Sequence, residues 1–156
     1  MASISNRPGR NGADQRTAMA FIQSSRFLRD ALALDAAACA ATGLLLSLGA
    51  GALSGLLGFP LEFLRGAGLM LLPCAAALAF FASRARLPRL AVHAVIGVNI
   101  LWIADSVLIL VAGWFAPTTL GIAFVLVQAA AVAIVTELEV VGLKKSVSAG
   151  EMKAAL

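Results

Sequence analysis

The side chains able to act as acid, base, nucleophile or ligand are few in this 156-residue chain: eight Asp and Glu, one His, two Cys and no Tyr. One acid stands apart. From Leu90 to Thr136 the only formal charge is Asp105. A carboxylate in the middle of a membrane helix costs about 2.5–3.5 kcal/mol on insertion scales, and such groups usually face a bundle interior. Asn99, Trp102, Asp105 and Ser106 are separated by helical offsets of three, four and seven, so they share one face. Asp105 lies nine residues before Trp114, about 13 Å along a helix. An antiparallel hairpin centred between Ala116 and Pro117 brings Gln128 to the same depth. The sequence therefore predicts an intramembrane polar site of Asp105, Asn99, Trp102, Ser106 and Gln128. Two roles fit it. The carboxyl takes up a proton or cation in a polar pocket, or it is interhelical glue worth about 0.6–2 kcal/mol per bond.

The remaining candidates carry less. His93 is single, whereas zinc and bis-His haem sites need further ligands; it reads as an interfacial residue. Cys39 and Cys74 form no CxxC pair and read as small packing residues. Glu62 and Arg65, three apart, suit a local pair. Glu137 and Glu139 close the last apolar run, where ion pairs to Arg84, Arg86 and Arg89 are expected to pin the inner rim, at about 0–1 kcal/mol each. No nucleophile–base pair, metal-ligand set or cofactor motif emerges, so catalytic, metal and cofactor-binding residues are all read as none.

The elements that hold these residues follow from composition. Hydrophobic residues make up 61% and charged ones 13%, against roughly 45–50% and 25% in soluble domains. A crossing needs about 20 mostly apolar residues, and the uncharged runs supply four, near 36–58, 66–83, 90–114 and 118–140. The last two are divided by Gly113-Trp-Phe-Ala-Pro117. The chain reads as an all-α polytopic membrane protein, four transmembrane helices in an antiparallel up-down bundle. Residues 1–18 read as a disordered polar segment, 19–35 as an amphipathic interfacial lead-in, 36–143 as the transmembrane domain, and 144–156 as a flexible tail beyond a helix stop at Gly142. Met19 is an alternative start. In span one, Gly43, Ser47, Gly51 and Gly55 recur every fourth residue, a stripe suited to close helix contact. Pro73 interrupts the second span, and Gly58-Phe-Pro60 is faintly echoed at Gly113 to Pro117.

Eleven of the twelve Lys and Arg fall on the side shared by the N-terminus, middle loop and tail, and only Arg65 lies opposite. By the positive-inside rule both termini are cytoplasmic. No aromatic residues interleave with a basic stripe, so the net charge of +4 gives no reason to expect nucleic acid. The expected partners are the lipid bilayer and another membrane protein or a second copy of the chain.

Asn99-Ile-Leu-Trp-Ile-Ala-Asp105-Ser, Gly113-Trp with Pro117-Thr-Thr-Leu-Gly121, and Glu137-Leu-Glu-Val-Val-Gly142-Leu resemble small four-helix proteobacterial integral membrane proteins of unknown function. The likeness covers about Met19 to Lys145 and implies a bacterial inner membrane without an assigned activity. The small multidrug exporters depend on a Glu in span one, where this chain has only Asp35 at the rim. Lipoprotein signal peptidases need a second Asp that Asp105 lacks. The leading expectation is a non-enzymatic accessory or interaction subunit. The alternative is a small proton- or cation-coupled transporter or channel-like protein using a buried Asp105.

Overall fold

Long runs of Ala, Leu, Val and Gly without charge satisfy their backbone groups internally in lipid only as helices or closed barrels. The computed structural model describes residues 21–154, with side chains placed to Ser146. The segment 1–18, Met19 and the side chains of 147–156 lie outside the described residues. The elements are β1 (Phe21–Gln23), α1 (Arg26–Leu57), α2 (Leu61–Ala82), β2 (Arg86–Pro88), α3 (Arg89–Val111) and α4 (Thr119–Ala154). All four helices are long and apolar enough to cross a membrane.

The helices exceed the expected spans at the basic end. The segment predicted as an interfacial lead-in splits in two. Residues 21–23 pair antiparallel with 86–88, Ile22 opposite Leu87. From Arg26 the chain is already α1, capped by Ser25, whose Oγ accepts from the Leu28 amide at 3.1 Å. Leu28, Ala31 and Leu32 are buried because they continue the core-facing stripe of the span itself. Likewise Gly142 does not end α4; the helix runs to Ala154. Its role is steric, since a Cβ there would sit 2.8 Å from the Leu28 Cα of α1.

Both ends are tied. At the basic end the Ser25 amide donates to Ser146 Oγ (2.9 Å) and Arg29 Nε to the Ala82 carbonyl (2.9 Å). At the other end Gly58 closes α1 in a left-handed conformation, φ 74°. There the Thr118 amide donates to the Leu57 carbonyl (3.0 Å) and its Oγ1 caps α4 at Gly121 (3.1 Å). A Cβ on Gly58 would lie 2.7 Å from the Ala116 carbonyl oxygen, so glycine is required on two counts there.

Between these ties α1 packs against α2 and α4, and α4 against α3. The small-residue stripe is used only in part. Gly43 and Ser47 meet Gly68 of α2, where an added Cβ would clash with Ser47 at 2.6 Å, whereas nothing lies within 4 Å of a Cβ on Gly51 or Gly55. Each step of four residues advances 400° around a 3.6-residue helix, so the stripe drifts about 40° per step off the contact. Leu46, Ala50 and Leu57 take over instead. Close backbone contact between α2 and α3 is nearly absent. A cleft runs there between the helices.

Candidate functional site

The structure divides the predicted polar face. Asp105 is exposed rather than buried, and among the described residues it has no hydrogen bond or ion pair. It stands on the wall of a cavity of about 420 Å³ that Ser106, Trp102 and Gln128 also line. Ser106 Oγ donates back to the Trp102 carbonyl (2.7 Å), and Gln128 Nε2 to Thr42 Oγ1 (3.1 Å). The hairpin count thus places Asp105 and Gln128 on one cavity without pairing them, because Gln128 turns towards α1.

Asn99 leaves this group for another. It is buried on α3, and its Nδ2 donates both to Asp35 Oδ2 of α1 (3.1 Å) and to Glu139 Oε2 of α4 (3.2 Å). Asp35 is 2% and Glu139 0% exposed, and the single Asn99 amide nitrogen brings the two carboxyls together. Cys39 Sγ lies one turn from Asp35, 3.7 Å from its Oδ1, while Glu139 Oε1 has no partner. Glu139 therefore does not pair with the arginine loop as expected. It faces inward with Val135, Thr136, Leu143 and Ser146, the buried stripe of α4, while Glu137 takes the exposed side.

A helix-period signal for this cluster was present. Leu28, Leu32, Asp35 and Cys39 follow at steps of four, three and four, as do Thr136, Glu139 and Leu143 at three and four. The apolar window starting at residue 36 hid the first pattern by placing Asp35 at a rim.

Two stacked cavities form the cleft. The inner one, of about 300 Å³, is lined by Asp35, Asn99, Cys39 and Cys74 among apolar residues of all four helices. Thr42, Met70, Trp102 and Gln128 line both cavities and form the waist between them. Among the described residues no three His, Cys, Asp or Glu side chains converge as a metal site would need. His93 is exposed, its Nδ1 against the Arg89 carbonyl at 2.8 Å.

Chemically, two buried carboxyls held on one amide disfavour each other's charge, as in carboxylate dyads that share a proton. An amide bridging both with its two N–H groups fixes them without supplying that proton. The arrangement can bind and release one proton, or hold a monovalent cation in its place, beside an apolar cavity. Comparison with protein-family models, with curated proteins and with solved structures finds no match to this chain.

Proposed function

We propose that the chain is a small proton- or cation-linked, transporter-like protein of the bacterial inner membrane, non-enzymatic, threaded as an up-down antiparallel bundle with both termini cytoplasmic. The observation that carries the reading is the Asn99 amide bridging Asp35 and Glu139. Three helices contribute to it, and two of its residues, Asp35 and Asn99, line the inner cavity. A fixed polar crosslink would need no cavity at its side. The proton site moves from Asp105 to this pair. The threading rests on Arg26, Arg29, Arg84, Arg86, Arg89, Lys144 and Lys145, which crowd the ribbon end, while Arg65 lies at the other.

Charge displacement after a pH jump, recorded from proteoliposomes on a supported membrane, tests the reading. The native chain gives a transient current that Asp35→Asn and Glu139→Gln each abolish. Equal currents from these variants, or none from the native chain, refute it. A C-terminal fluorescent-protein fusion that is bright, with an inactive alkaline phosphatase fusion, supports the orientation; the opposite pattern reverses it. An accessory or interaction subunit is the second reading, favoured by Gly51 and Gly55, whose open surface leaves α1 backbone free for another helix.

A further inference from the structure

The outer half of the cleft holds a carboxyl that no described residue pairs. Asp105 has no ion pair among the described residues; Glu62, on the same cavity, has Arg65 at 3.9 Å. The other described bases lie at the far end of the helices, at Arg26, Arg29, Arg84, Arg86, Arg89, Lys144 and Lys145. Around Asp105 the cavity wall is aromatic, with Trp102 of α3, Phe124 of α4, Phe59 just before α2 and Phe63 in its first turn. Phe59 and Phe63 are held in place by Phe115, with ring centroids 5.7 and 4.8 Å away.

These features select among ligands. An anion would meet Asp105 with no cationic side chain in the cavity lining to offset it. A bare metal ion needs a shell of oxygens, and among the described residues no three His, Cys, Asp or Glu side chains converge to supply one. An acyl chain would fill the space and leave the carboxylate unanswered in an apolar setting. A cation whose charge is spread beneath apolar substituents answers both the carboxylate and the rings, which attract cations through their quadrupoles.

We propose that the outer cavity binds a hydrophobic organic monocation, a quaternary ammonium or phosphonium group bearing apolar substituents, with Asp105 as counter-charge and Trp102, Phe124, Phe59 and Phe63 as walls. The site is separate from the Asp35–Glu139 pair and does not depend on proton movement there. The cavity of about 420 Å³ falls within the range of small-molecule sites, about 300–1,000 Å³.

The test is equilibrium dialysis of the purified full chain in detergent micelles against labelled tetraphenylphosphonium, with tetraphenylborate as the probe of equal shape and opposite charge. Saturable binding of the phosphonium at one per chain is expected, with none of the borate above empty micelles. Asp105→Asn should weaken phosphonium binding about tenfold or more, because it removes the counter-charge. Asp105→Glu should retain binding, as should Glu137→Gln, which removes an exposed carboxylate elsewhere. Asp105 is exposed and unbonded, so its variants should fold; gel filtration confirms this. Saturable borate binding, native affinity in Asp105→Asn, or no saturable phosphonium binding would each overturn the proposal.

Discussion

Replacing Asn99 with Leu removes one amide and strands two carboxyls. The native amide makes bonds of 3.1 and 3.2 Å to groups on two other helices. Interhelical hydrogen bonds in membranes average about 0.6 kcal/mol, so two ordinary bonds would cost about 1 kcal/mol. Leaving a buried acceptor without its donor costs about 1–3 kcal/mol, so two stranded acceptors would cost up to about 6 kcal/mol. Glu139 Oε1 already lacks a partner, and the bridging amide is shared between both acids. The loss should therefore fall near the middle, about 3 kcal/mol. Titration with sodium dodecyl sulfate in mixed micelles, followed by circular dichroism, measures it as a shift of the unfolding midpoint. The decisive comparison is the triple variant Asp35→Leu, Asn99→Leu, Glu139→Met. Removing both acids along with their bridge leaves nothing stranded, so the triple variant should be more stable than Asn99→Leu alone. If Asn99→Leu lies within about 0.5 kcal/mol of the native chain, or the triple variant is the less stable, the network does not hold the helices as argued.

Three further substitutions separate packing from surface. Gly68→Ala should destabilise by about 1–3 kcal/mol, because its Cβ would lie 2.6 Å from Ser47. Gly51→Ala, with open space around it, should stabilise by about 0.5–1 kcal/mol through helix propensity, and the same unfolding titration reads both. Ser25→Ala should cost about 0.5–2 kcal/mol as a lost cap, and should also free the Ser146 contact (3.1 Å) between α1 and α4, seen as faster proteolysis at that end. Asp105→Asn should leave stability within about 0.5 kcal/mol of native; a large loss would show that the acid is a structural crosslink.

The existence of four apolar helices was legible because lipid leaves hydrophobic length as the dominant signal, and Gly113 to Pro117 marked the last turn. The ends were harder to read. A hydropathy window stops at the first charge, so Asp35 closed the first span early, whereas helix periodicity carries α1 back to Arg26. Depth counting put Gln128 level with Asp105, but rotation about a helix axis is set by its neighbours, and α4 turns Gln128 towards Thr42. The Asp35–Asn99–Glu139 bridge joins positions far apart in the chain. Periodicity could place each on a core-facing stripe, yet only the order in which helices pack brings the three stripes together.

That bridge also sets an order on biogenesis. Asp35 precedes Asn99 by 64 residues and Asn99 precedes Glu139 by 40. At about 5–20 residues per second of synthesis, Asp35 waits roughly 5–20 s for its last partner. During that interval the α1–α2 hairpin can already associate through Gly43, Ser47 and Gly68. Until Asn99 and Glu139 follow, Asp35 lacks the partners it has in the finished protein. Arrival of α4 then closes the bridge, so the last helix to be made completes a contact that the first one begins.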